Sequence, residues 1–173
     1  MNKKFVMINT ILTFLVSFLV HYIYKWIPCF ITSVFPVNES LYEHMKLIYL
    51  SPIISSLILY FYFKMKDYKI NNYSFGLIVS TIFNIIIFYL IYLPLYYTVG
   101  QSMLMTLSIY FITIILSNYL YYLIIEMKDN SNLNKISIVF ILVIGFVLTY
   151  FTYKPLKIDF FRDPKTNYYG IPK

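Results

Sequence analysis

The chain has 173 residues, 60% of them hydrophobic and only 12% charged, with a net charge of +7. A soluble domain carries about 25% charged residues, so this chain has too little charge to coat a globule in water. The positive balance does not mark a nucleic-acid binder either, because the lysines punctuate apolar runs instead of lining one face. No nucleic-acid partner is expected. The bilayer is the expected solvent, with the lysines anchoring helix ends among headgroups. The single cysteine, Cys29, excludes an internal disulfide, and its apolar neighbourhood predicts a packed side chain. Alanine is absent and there are four glycines. Close helix crossings must therefore use Ser and Thr.

Residues 5–24 form the first apolar run. Met-Asn-Lys-Lys before it imitates a signal peptide, but no small-x-small cleavage pattern follows, so a retained helix is expected. The next stretch, 26–37, is apolar but too short to span. Pro28 and Pro36 bracket it, which predicts an interfacial or re-entrant segment. A second helix is expected over 40–63, a third over 75–99, a fourth over 103–125 and a fifth over 136–153. Each is near the ~20 residues that a helix needs to cross a ~30 Å hydrocarbon core. Lone strands cannot satisfy their backbone in lipid, so helices are required despite the many β-branched residues.

The expected fold is all-α, an integral membrane bundle of five transmembrane helices in one domain, 1–173, with a polar tail over 154–173. Lys3 and Lys4, then Lys64, Lys66 and Lys69, then Lys128 and Lys135 fall on one side. The positive-inside rule makes that side cytoplasmic. The amino terminus is then inside, the carboxyl terminus outside, and Lys25 and Lys46 lie in the short outer connections. The tail lysines oppose this orientation, and the loops are given the greater weight. Pro52 and Pro94 fall within the second and third helices and predict kinks. Asn84 and Asn118 fall mid-membrane and predict interhelical hydrogen bonds. Tyrosines near the helix ends read as an aromatic belt.

Polar groups gather on the outer side. His21 lies one turn from the end of the first helix. Asn38, Glu39, Glu43 and His44 lead into the second, Gln101 sits in the third connection, and Arg162 and Asp163 sit in the tail. Two of the seven acidic residues and one of the two histidines share the short stretch from Phe35 to Lys46. Imidazoles and carboxylates are the ligand types that Zn²⁺ accepts, and His21, Glu39, Glu43 and His44 are the candidate metal or acid–base set. The spacing is not His-Glu-x-x-His or another established zinc signature. Ser40-x-x-Glu43 also matches a capping box, so Glu43 has a structural reading beside the functional one. Structural readings stand beside the others too: a core histidine for His21, an interfacial one for His44, and a solvated loop residue for Glu39. Asn38, Arg162 and Asp163 are candidate binding residues. One arrangement for them is a lid in which Phe160 and Phe161 dip into the interface and Arg162 reaches the carboxylates. Charged residues are absent from the third to fifth helices, which argues against a proton-coupled carrier acting alone.

Phe35-Pro-Val-Asn-Glu-Ser-Leu-Tyr-Glu-His-Met-Lys46 resembles the signature Pro-Val-Asn-Glu-Ser-x-Trp-Glu-His-x-Lys of an uncharacterised family of small clostridial-type bacterial membrane proteins. Tyr96-Tyr-Thr-Val-Gly100 and Phe161-Arg-Asp-Pro-Lys-Thr-Asn-Tyr-Tyr-Gly-Ile171 resemble it as well, and the likeness covers nearly the whole chain. The sequence departs from the pattern at Tyr42, where the family tends to have Trp, and at Asn167, where it tends to have Gly. Tyr42 can still anchor at an interface and Asn167 can still adopt a left-handed turn. The resemblance implies a multi-pass protein of the cell membrane and brings no activity. The residues themselves favour a binding, transport or accessory component, partnered with lipid, a small ligand or another membrane protein. The alternative is a membrane-embedded metal-dependent or acid–base hydrolase or transferase, acting on a lipid or peptide at the outer interface.

Overall fold

The computed structural model describes residues 4–171. Lys3 and Lys173 lie outside the described residues. Five helices carry the chain: α1 (Lys4–Trp26), α2 (Leu41–Lys64), α3 (Tyr73–Val99), α4 (Met103–Ile125) and α5 (Ser131–Tyr153). All five are long and apolar enough to cross a membrane. Among the described residues there is no strand, and Arg162 and Tyr169 form an isolated bridge in the tail. Helix α5 begins earlier than the hydropathy suggests. Asn130 caps it, its Oδ1 accepting from the Leu133 N–H at 3.2 Å, so the polar Ser131-Asn-Leu-Asn turn joins the helix. Pro52 and Pro94 lie inside α2 and α3, and the helices continue through both positions.

Helix α1 packs on α2 and α4, and α3 packs on α2, α4 and α5. The first four helices thus close a ring, with α5 on its flank. Only 17% of the apolar stretch of α5 is buried, against 44% for α2 and α3, which makes α5 the most exposed of the five helices. The crossings use the small residues available. Thr13 Oγ1 and Ser55 Oγ meet at 2.6 Å between α1 and α2. A Cβ on Gly76 would lie 2.8 Å from the Tyr121 ring, so glycine sets the α3–α4 approach there. Asn118 behaves as interhelical glue, accepting from Asn9 Nδ2 at 2.6 Å and donating to Thr10 Oγ1 at 3.3 Å. Asn84 differs from expectation: it is buried, and neither of its amide atoms has a partner among the described residues.

At one end the two loops that carry the lysines are tied together. Asn72, in a left-handed conformation, donates to the Lys128 carbonyl at 3.0 Å and accepts from the Asn130 N–H at 2.8 Å. Lys69 pairs with Asp129 at 3.1 Å. At the other end sit the α1–α2 connection, the start of α2, the α3–α4 turn and the tail. The connection holds a short 3-10 turn, Ile31–Val34, with Trp26, Ile27, Phe30 and Ile31 exposed, as an interfacial segment requires. Cys29 is exposed in this stretch rather than packed, because the turn anchors through Thr32, which bonds the Ile27 and Cys29 carbonyls.

The tail folds back over the same end. Phe161 stacks on Tyr42 with ring centroids 4.2 Å apart, and Tyr42 donates to the Leu148 carbonyl at 2.7 Å. Tyr42 is therefore a buried pin between α2, α5 and the tail, not an interfacial anchor. Asn167 takes the left-handed turn expected of it, with φ of 62°. Gly170 is required by two constraints together. Its φ is +66°, and a Cβ would lie 2.4 Å from the Thr152 carbonyl oxygen.

Candidate metal centre

His21, Glu39 and His44 come together at the end of the bundle that carries the tail. Each offers one ligand atom, and the three atoms lie within 4.8 Å of one another. His21 projects from the penultimate turn of α1 and His44 from the first turn of α2. Glu39 sits just before the Ser40 cap that starts α2. His21 Nε2 is 3.4 Å from Glu39 Oε1, and His44 Nε2 is 3.8 Å from Glu39 Oε2. Adjacent ligand atoms on a tetrahedral zinc with bonds of ~2.0–2.2 Å are about 3.3–3.6 Å apart. The two distances run to different oxygens of Glu39, and the three ligand atoms lie within 4.8 Å, so the side chains must draw together to meet that geometry.

The orientation of His44 is fixed from behind. Its Nδ1 lies 2.9 Å from the Ser40 carbonyl oxygen. A carbonyl only accepts, so Nδ1 carries a proton, and in the neutral ring Nε2 has its lone pair toward Glu39. A backbone acceptor on the far nitrogen is the usual support of a metal-binding imidazole. The ring centroids of His21 and His44 are 5.7 Å apart.

Lys25, one turn beyond His21 on the same helix face, reaches the same carboxylate. Its Nζ is 2.6 Å from Glu39 Oε1 and 3.4 Å from His21 Nε2. Lys165 in the tail lies 3.9 Å from that oxygen. The His21 hydrogen bond holds the Glu39 carboxyl well below its ordinary range, burial opposes it, and Lys25 adds to it. Glu39 is ionised at any physiological pH. Beside Glu39 and His44 is a cavity of about 10 Å³, bounded by Tyr92, Tyr96, Gln101 and Thr106. That is room for about one water.

The other candidates lie elsewhere. Glu43 is outside the cluster, with its side chain 1% exposed and Lys46 Nζ at 2.7 Å. Thr152 Oγ1 donates to its Oε1 at 2.9 Å and the Val37 N–H to its Oε2 at 3.1 Å. The capping reading of Ser40 holds in half. Ser40 Oγ accepts from the Glu43 N–H at 3.2 Å, but the Ser40 N–H donates to Asn38 Oδ1 at 2.8 Å, so Glu43 need not reach back. Lys46 is no loop lysine. It is buried and donates to the Ser33 carbonyl and Thr152 Oγ1, each at 2.8 Å.

Asn38 donates to the Gly170 carbonyl at 2.7 Å, and Asp163 organises its own turn by accepting from the Lys165 N–H at 2.8 Å. Both hold the tail in place. Arg162 pairs with Asp159 at 3.0 Å. The tail residues beside the His21, Glu39 and His44 cluster are Pro164, on the cavity wall, and Lys165. Lys25 was legible from its spacing to His21. Lys165 was not, because only the fold of the tail brings it there.

The model of a family of unknown function, DUF6512, matches residues 1–171. The chain belongs to that family. No curated protein and no solved structure matches it. Membership in DUF6512 carries no activity, so the chemistry of the cluster has to be read from the residues themselves.

Proposed function

We propose that this DUF6512 protein is a multi-pass component of a bacterial cell membrane that binds a divalent transition metal at its outer face. The ligands are His21, Glu39 and His44. The observation that carries the reading is the convergence of three ligand atoms within 4.8 Å, from the end of α1 and the start of α2. Two imidazoles and one carboxylate are a borderline donor set that suits Zn²⁺ better than Ca²⁺ or Mg²⁺. Three protein ligands leave one position open, whereas structural zinc sites are closed by four. The open position points to a metal that exchanges, in binding, delivery or transport. The hydrolase alternative also uses an open position but requires a separate base. The two nearby carboxylates, Glu43 and Asp163, are buried and already bonded, which favours binding over catalysis. The outer-face assignment rests on the lysines of the opposite loops.

The test is metal analysis of protein purified without chelator and equilibrated with zinc. About one zinc per chain is expected, and His44→Ala or Glu39→Gln should lose it. A wild-type protein that takes up no zinc from micromolar solution overturns the reading.

A further inference from the structure

The charge around Glu39 is out of balance in a way that a metal makes worse. One carboxylate oxygen, Oε1, faces Lys25 Nζ at 2.6 Å and Lys165 Nζ at 3.9 Å. A divalent cation entering beside them would set one negative charge against four positive ones. At separations of a few ångströms in a partly buried site, such repulsion opposes entry of the metal. A metal taken up by the three ligands alone would compete with Lys25, whose Nζ lies 2.6 Å from Glu39 Oε1 and 3.4 Å from His21 Nε2.

We infer that the site takes a metal together with an oxyanion of the phosphate class. This rests on the metal reading above. The anion supplies the fourth ligand and at the same time accepts from Lys25 and Lys165, which removes the repulsion. Lys25 can make that move without leaving its surroundings. Its Nζ already lies 5.0 Å from the centre of the Tyr22 ring, and its side chain is 39% exposed. Lys165 sits in the tail beside Pro164, which forms one wall of the cavity, and is 68% exposed. Tyr92, which lines the cavity, already shares a hydrogen bond with Thr106 Oγ1 at 3.2 Å, while Thr106 donates to the Ser102 carbonyl at 2.9 Å. Two cationic donors beside a metal are a phosphate-binding set. The cavity of about 10 Å³ admits little more than a water and neither lysine lines it, so the anion meets Lys25 and Lys165 from their exposed side.

Phosphate chemistry at a membrane face has two sources, a lipid headgroup or free phosphate, and one experiment separates them. The full chain is titrated with Co²⁺, read by its visible absorbance. The titration is run in detergent with and without inorganic phosphate, and in vesicles of phosphatidylcholine with and without phosphatidylglycerol. Metal and anion affinities are reciprocally linked. Cobalt should bind at least about tenfold more tightly with phosphate or with phosphatidylglycerol, a coupling of ~1.4 kcal/mol. Whichever of them couples identifies the source. The coupling should vanish in Lys25→Met/Lys165→Met and persist in Lys25→Arg/Lys165→Arg, which keeps the charge. Cobalt affinity that neither anion changes overturns the inference while the metal reading stands. Coupling retained in the double Met variant overturns it equally. A wild-type protein with no cobalt spectrum under any condition overturns the metal reading itself.

Discussion

The Glu43 carboxylate and the Lys46 ammonium meet at 2.7 Å with both side chains 1% exposed. They stand one helical turn apart on α2, and around them close the α1–α2 connection, through Ser33 and Val37, and α5, through Thr152. Tyr153 adds a bond to Ser33 Oγ at 2.7 Å. This network locks the peripheral α5 and the connection onto α2, next in sequence to the candidate ligand His44. It has every partner it needs, and nothing in it is left for a ligand.

Breaking one half of this pair strands a buried charge, which costs about 3–5 kcal/mol. Glu43→Gln and Lys46→Met are each expected to lower the thermal midpoint sharply. A Glu43→Leu/Lys46→Met double variant is expected to regain most of the loss. Zinc content per folded chain should be unchanged by Glu43→Gln, and a loss of zinc there would return Glu43 to the site.

Acid should strip the metal. An imidazole binds metal only when neutral, so protons and zinc compete for His21 and His44. Glu39 does not take part in this competition near neutrality, because its partners hold it ionised far below that range. At a limiting zinc concentration, zinc occupancy is expected to fall steadily as the solution is acidified from about pH 7.5. Equilibrium dialysis at a series of pH values measures it, and occupancy that held flat down to pH 4.5 would exclude two histidine ligands.

The tail should come loose when Gly170 acquires a side chain. Gly170→Ala meets both a positive φ and a carbonyl at 2.4 Å. The substitution is expected to cost at least about 1 kcal/mol, and to expose the tail to limited proteolysis. Zinc affinity for the three ligands should survive, while any dependence on Lys165 should weaken with it.

Orientation is tested in intact cells, in a Cys29→Ser background. A Thr166→Cys variant should react with an impermeant maleimide and a Lys66→Cys variant should not. Both positions are exposed and at opposite ends of the bundle. The reverse pattern would move the site to the cytoplasmic face.

The sequence by itself determined the membrane bundle. Five long apolar runs in a chain with 12% charge leave helices as the way to satisfy the backbone in lipid. The helices lie where hydropathy places them, except at the start of α5, where a cap extends the helix into polar residues that carry no hydropathy signal. The patch that holds the candidate site was legible too, because histidine and carboxylates beside a bilayer are costly. The division of labour inside the patch was not. Glu39 and Glu43 stand four apart and look alike in sequence. Glu39 precedes the Ser40 cap and turns toward His21, while Glu43 lies within the first turn of α2 and turns inward to Lys46. Only packing separates them, since the α5 residue Thr152, whose hydroxyl completes the inner network, arrives from more than a hundred positions away. The same holds for Lys165, whose place over Glu39 depends on the tail folding back through Asn38 and Gly170. Solvation energy acts on composition and can be read along the chain. Charge pairing acts on distance, and only the tertiary structure sets that.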